Sequence, residues 1–291
     1  MPGCSEGKPK GDFIGTTRRS NDPVNKKRSE KKSEVGRSSK GSGHAKAYII
    51  GESPMVEEYA SLCATKGYDV LVQWNSPVKP APDFGRASIR QTAVIPPDVS
   101  IGIELTNNDT AVKRINLQKL DKSLSPTVPI LSSSVTVTAM EQAGWINRRH
   151  RLVGFCALPT FSEKSLAEVA PTVFSPKETI EVVRLFLGSI GKEIVLVQDR
   201  VGMVLPRILC QIMNEAAFAL QEDVASPRDI DTAMKLGTNY PYGPVEWANR
   251  IGIHHVYSIL AAMEHDLKED RYRVAPLLKQ MAQAGPWWKP E

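Results

Sequence analysis

Between residues 47 and 74 the chain offers one arrangement with direct chemical meaning. The apolar stretch A-Y-I-I-G (47–51) reads as a buried strand, and the loop Gly51-Glu52-Ser53-Pro54-Met55-Val56 opens a helix predicted over 52–67. A glycine-rich turn there lets backbone N–H groups approach a pyrophosphate at the helix N-terminus, the pattern being G-x-G-x-x-G. Here only the first glycine is present. Ser53 adds a side chain near the phosphates, and Val56 crowds helix against strand. Glu52 brings negative charge to a place where a helix N-terminus favours an anionic ligand. The acid that would take the ribose hydroxyls, at the end of the second strand, falls at Trp74, which accepts no hydrogen bond. Gly51, Ser53 and Met55 are the loop's candidate contacts to a dinucleotide.

The other chemistry-bearing residues are dispersed. Cys4, Cys63, Cys156 and Cys210 lack the pairwise spacing of a metal site or a disulfide framework. They suit a reducing cytosol, and no metal centre is expected. No run of about 18 apolar residues marks a membrane span, and the first ten residues lack a signal-peptide core.

The elements that must position the loop follow from hydrophobic patterning. Strand 47–51, helix 52–67 and strand Y-D-V-L-V-Q-W (68–74) form a βαβ unit, which requires a parallel sheet. Pro77, Pro80 and Pro82 then interrupt the chain. Further strands are predicted at 99–105, 129–134, 151–157 and 193–199, with helices over 109–122 and 176–190. In the first of these helices residues 112, 115, 117 and 120 supply the apolar side. From Arg200 the strand pattern stops. A long helix is predicted over 204–222, a short one from Pro227 to a stop at Gly237, and two more over 243–252 and 254–268. Ser226 is the expected N-cap of the short helix, with Asp229 as its capping-box acid.

Charge is unevenly distributed over the 291 residues. Residues 1–46 hold 12 Lys/Arg against 5 Asp/Glu, leaving 25 against 27 for the rest. The basic character belongs to a polar, Ser/Gly/Lys-rich tail that cannot bury enough apolar surface to order itself. A near-neutral fold argues against a nucleic-acid-binding domain. The expected organisation is a disordered basic tail (1–46), an α/β domain (47–199) and an all-α domain (200–291).

The stretch A-S-P-R-D-I-D-T-A-M-K-L-G-T-N-Y-P-Y-G-P-V-E-W-A-N-R-I-G (225–252) resembles the C-terminal domain of the 3-hydroxyacyl-CoA dehydrogenases. G-S-I-G-K-E-I-V-L-V-Q-D (188–199), followed by a long helix ending in N-E-A, resembles the hinge into that domain. The resemblance continues through L-A-E-V (166–169) and L-D-K (120–122) and covers roughly residues 47–268. It implies a Rossmann-type NAD(P)-binding domain followed by an all-α C-terminal dimerisation domain. It also implies a homodimer, NAD as cofactor and an acyl-CoA as ligand.

The family's reaction is NAD-dependent oxidation of 3-hydroxyacyl-CoA to 3-oxoacyl-CoA in fatty-acid metabolism, with a histidine base oriented by a glutamate. The resemblance puts that glutamate at Glu168 and the histidine at Cys156. A thiol is a poorer base than imidazole, and one heteroatom cannot bridge carboxylate and substrate. Of the five histidines none offers an obvious substitute; His150 is the nearest in sequence. Ser133, or alternatively Thr136, falls among the donors to the thioester carbonyl. The family asparagine that opens the long helix is Pro206, next to a retained Arg207. Lys113 corresponds to a cofactor-contacting lysine, and the neighbouring family glutamate is Asn108. The CoA-gripping arm after Trp74 is shortened to the link V-K-P-A-P-D-F-G-R-A-S. The expectation is a weakened or inactive member, or a dead paralogue that dimerises as a binding or assembly partner.

Overall fold

A computed structural model describes residues 45–76 and 84–284. The basic tail and most of the proline-rich link, Pro77 included, lie outside the described residues. Among the described residues, eight strands form one sheet: β1 (Lys46–Gly51), β2 (Asp69–Trp74), β3 (Ile89–Gln91), β4 (Val99–Leu105), β5 (Ile130–Ser133), β6 (Leu152–Phe155), β7 (Leu166–Pro171) and β8 (Glu193–Leu196). Their order is β3-β2-β1-β4-β5-β6-β7-β8. All neighbours run parallel except β6 and β7. Among the described residues, four helices belong to this part, α1 (Met55–Thr65), α2 (Thr110–Ser123), α3 (Ala139–Ala143) and α4 (Lys177–Ser189), and α5 (Leu205–Gln221) leads out of the sheet into the helical region.

The alternation of a strand builds two cores. On β1, Ala47 and Ile49 face one side with Met55 and Tyr59 of α1, Phe186 of α4 and Phe155 of β6. Tyr48 and Ile50 face the other, with Leu117 and Leu120 of α2 and Leu152 of β6. Because both faces are covered, β1 and β4 read as near-continuous apolar runs.

Three departures from the sequence reading have physical causes. β7 passes unnoticed because Glu168 interrupts its apolar run and Pro171 ends it. Being antiparallel to β6, it also needs no crossover helix. In α2 the apolar side is misread: Ile115 is 62% exposed, whereas Lys113 and Asn116 are buried. The short α6 (Pro227–Thr238) continues past Gly237, and it is Asn239 that takes the left-handed conformation, φ 57°. Asparagine is the commonest substitute for glycine there.

After α6 come α7 (Pro244–Ile251), α8 (Ile253–Leu267) and α9 (Pro276–Ala284). Their apolar residues pack with α5 around Leu209, Met213, Ile259, Leu260 and Met263. The corner at 226–244 is held by side-chain caps. Ser226 Oγ accepts the N–H of Asp229 at 3.2 Å. Asp231 accepts the N–H groups of Val245 at 2.8 Å and Glu246 at 3.0 Å, so α6 caps α7. Gly243 is required there, since a Cβ would lie 2.1 Å from Asp231 Oδ1. Tyr240 and Tyr242 meet Trp247 edge-on at 5.8 and 6.0 Å.

Thus a mostly parallel, Rossmann-type α/β sheet is followed by a helical C-terminal region.

Candidate functional site at the carboxyl ends of the strands

Strand order reverses at β1 and β4, and open α/β sheets bind ligands outside the strand ends at such a switch point. The first lip of this crevice is the β1–α1 loop. A Cβ on Gly51 would lie 2.6 Å from the carbonyl carbon of Leu105, so the close approach of β1 to β4 demands glycine. Ser53 is exposed, whereas Met55 and Val56 are fully buried.

Glu52 crosses from this lip to the next. Its Oε1 accepts the backbone N–H of Asn107 and the side-chain amide of Asn108, both at 2.9 Å. His255 Nδ1 of α8 stands 3.6 Å from the same oxygen. Burial raises the carboxyl pKa, opposed by the two hydrogen bonds from Asn107 and Asn108. Asn108 is held further by Ser258 Oγ, which donates to its Oδ1 at 2.7 Å. Nothing along the chain points to His255 beyond the pair His254-His255 after Gly252. It is fully buried, and its pKa is pushed down to about 3 by burial and, secondarily, by His254.

Behind this bridge lies a polar network. Lys113 pairs with Glu104 and donates to the carbonyl of Thr106 at 2.8 Å, both side chains being buried. Glu104 also accepts the N–H of Thr106 at 2.9 Å and Ser132 Oγ at 3.0 Å. Ser133 Oγ donates to Asn107 Oδ1 at 2.7 Å and is fully buried. Thr136 Oγ1 donates to the carbonyl of Asn107 at 3.0 Å. At the end of β2, Trp74 donates from Nε1 to Glu57 at 3.0 Å and stacks on Phe84 at 6.2 Å.

Cys156 and Glu168 meet across β6 and β7, where the Cys156 N–H donates to the Glu168 carbonyl at 2.9 Å. Burial pushes the thiol well above its ordinary pKa, and the charges of Glu168 and Cys210 add to the shift. Both carboxylate oxygens of Glu168 are engaged by the start of α5: Oε2 accepts Val204 N–H at 2.8 Å and Oε1 accepts Leu205 N–H at 2.7 Å. Pro206, next in the chain, has no N–H to offer. Arg207 turns back to the carbonyl of Val201 and lies over the Tyr272 ring at 5.8 Å. A cavity of about 210 Å³ opens beside the pair, lined by Tyr59, Cys156, Phe161, Glu168, Lys192 and Leu205 among others. The structure therefore groups Gly51, Met55, Lys113 and Ser133 around the crevice, and Cys156 with Glu168 beside the cavity. His150 lies in the 3₁₀ turn Arg149–Arg151 that leads into β6, and Asn108 rather than His150 contacts the crevice histidine. Among the described residues no group of three His, Cys, Asp or Glu is placed to hold a metal ion. No helix among them is long and apolar enough to cross a membrane.

Comparison with known proteins agrees with this architecture. Residues 202–288 match the 3-hydroxyacyl-CoA dehydrogenase C-terminal domain. A probable 3-hydroxybutyryl-CoA dehydrogenase of Bacillus subtilis is 32% identical over 202 residues, covering 69% of this chain and 70% of that one. The 3-hydroxyadipyl-CoA dehydrogenase of Escherichia coli is 40% identical over 114 residues, covering 39% of this chain and 24% of that one. In structure, (S)-3-hydroxybutyryl-CoA dehydrogenase PaaH1 of Ralstonia eutropha superposes with a TM-score of 0.69 at 24% identity, covering 84% of this chain and 95% of that one. At that identity it speaks for the fold alone. By the extent and identity of the Bacillus match, joined to the domain match at residues 202–288, the chain belongs to the 3-hydroxyacyl-CoA dehydrogenase family.

Proposed function

We propose that this chain is a catalytically weakened or inactive 3-hydroxyacyl-CoA dehydrogenase paralogue. In this reading it keeps the helical half for homodimerisation and acts in the cytosol as a binding or assembly partner. The observation that carries the reading is the engagement of Glu168, whose two oxygens hold the backbone of Val204 and Leu205. Each oxygen spends one lone pair on the helix start, and the position beside the carboxylate offers no imidazole for it to orient. The residue beside it, Cys156, is a buried thiol far from its thiolate form.

The residues present do not fit NAD in the family's manner. Glu52 fills the gap between the two lips, Val56 packs into the core where the third glycine would stand, and Lys113 is paired with Glu104. Trp74 and Phe84 stack where a ribose-binding acid would end β2. Dimerisation through the helical half is supported by apolar side chains left exposed on α5 and α6, including Ile208 and Leu236. An acyl-CoA remains the ligand class that the lineage implies.

The test is purified full-length protein with acetoacetyl-CoA and NADH. The expected result is no NADH consumption above background and weak or absent NAD binding by calorimetry. Robust turnover that disappears in Glu168→Gln overturns the reading.

A further inference from the structure

The crevice at the switch point is an anion site that the chain fills with its own side chain. Two hydrogen-bond donors from the β4–α2 loop, the Asn107 backbone N–H and the Asn108 amide, converge on one oxygen at 2.9 Å. Such a pair of donors at a strand end is what a phosphate oxygen would ask for. The oxygen they receive is Glu52 Oε1, projected from the β1–α1 loop.

The histidine behind it is arranged by the same contact. Because a carboxylate only accepts, Glu52 fixes the Asn108 NH₂ toward itself, and Ser258 Oγ takes the other end of the amide at 2.7 Å. The same NH₂ stands 3.3 Å from His255 Nδ1, which is then an acceptor. The proton of the neutral ring therefore sits on Nε2, which is buried and has no partner among the described residues. A buried N–H without an acceptor is unfavourable and leaves a donor free at the back of the crevice. The nearby cation, Lys113, is already paired with Glu104.

We propose that Glu52 is an internal anion occupying the phosphate position of the crevice, and that it sets the site against phosphate-bearing ligands. This inference rests on the reading that the crevice of the native chain does not hold a dinucleotide. Glu52 acts in two ways. It satisfies the donors a diphosphate would use, and it places a like charge beside any phosphate that enters. Removing the side chain frees both donors, while removing only the charge, as in Glu52→Gln, keeps the geometry and lifts the repulsion.

The experiment is calorimetric titration of the full chain, wild type, Glu52→Ala and Glu52→Gln, with ADP, NAD⁺ and adenosine. Glu52→Ala is expected to bind ADP and NAD⁺ at least tenfold more tightly than the wild type, with adenosine unchanged and Glu52→Gln in between. The dependence on phosphate is the signature, because a merely loosened fold would not separate ADP from adenosine. An equal gain for adenosine overturns the proposal, as does the absence of any gain for ADP in either variant. If Glu52→Ala fails to fold, the Glu52→Gln comparison decides alone. Tight NAD⁺ binding by the wild type would instead overturn the proposed function, so the two failures are distinct.

Discussion

Glu168 Oε1 accepts the backbone N–H of Leu205 at 2.7 Å, while its other oxygen takes that of Val204. A residue on β7 thereby serves as the N-terminal cap of α5, tying the sheet to the helical region. The first N–H groups of a helix have no partner within it, and a carboxylate there also meets the positive end of the helix dipole. Pro206 has no N–H to satisfy and that of Arg207 is taken by the Gly202 carbonyl at 2.9 Å, so this one carboxylate completes the cap.

Replacing this cap should be felt in stability. Glu168→Ala is expected to cost about 1–2 kcal/mol. For a fold of this size that is roughly 2–8 °C in Tm. Glu168→Gln keeps one acceptor and should lie between. Urea and thermal unfolding check this. Unchanged stability in Glu168→Ala would return the residue to a purely chemical role.

The thiols provide a second prediction. Cys63 and Cys210 are pushed by burial to about 12, and Cys156 well above its ordinary value. Thiolate is the reactive form, so none of the three should react with a thiol reagent at pH 8 while the protein is folded. All three should react after unfolding in guanidinium. Stoichiometric labelling of Cys156 in the native protein would show an accessible nucleophile.

The outcome for sequence reading differs by scale. The βαβ order was legible because β1, β2 and β4 are short apolar runs bounded by turn residues, a local signal that needs no long-range information. α2 was legible as a helix, but its buried side was not. Lys113 and Asn116 turn inward because Glu104, Thr106 and Asn75 receive them, and those partners lie on other elements. Ile115 is left outside as a consequence. The sign of the charge at Glu52 was readable, but the donors that receive it, Asn107 and Asn108, lie 55 and 56 residues away. The cap formed by Glu168 spans 36 and 37 residues for the same reason. Patterning registers neighbours along the chain; the site is made of contacts between loops that only packing brings together.

His255 predicts a limb of acid instability. Its pKa falls from 6.5 in the unfolded chain to about 3 in the folded one, through burial and then His254. The folded state thus binds fewer protons below pH 6.5, and stability present above that value is lost as pH falls toward 3. The slope is at most about 1.4 kcal/mol per pH unit. Glu52 acts in the opposite sense, since its raised pKa favours protonation in the folded state. Urea unfolding at pH 7.5 and pH 5.5 should therefore show a smaller loss for His255→Gln than for the wild type. Parallel losses in the two proteins would remove His255 from the account.

The last prediction concerns the surface of the helical region. α6 buries none of its residues, and Leu236 is 83% exposed. Ile208 of α5 is 53% exposed. Apolar side chains left open on helices this amphipathic need a partner surface, and under the proposed function that partner is a second copy of the chain. A cyclic dimer uses one patch on both subunits, so one substitution enters the interface twice. Full-length protein should therefore run in light scattering at twice the chain mass of 32.0 kDa. Ile208→Asp and Leu236→Asp should each shift it toward the monomer, raising the dissociation constant about a hundredfold for roughly 2.7 kcal/mol lost. Because both positions face solvent within one chain, circular dichroism of the isolated subunit should stay unchanged. A wild-type protein that is monomeric at micromolar concentration would end the dimer proposal and leave the family assignment untouched.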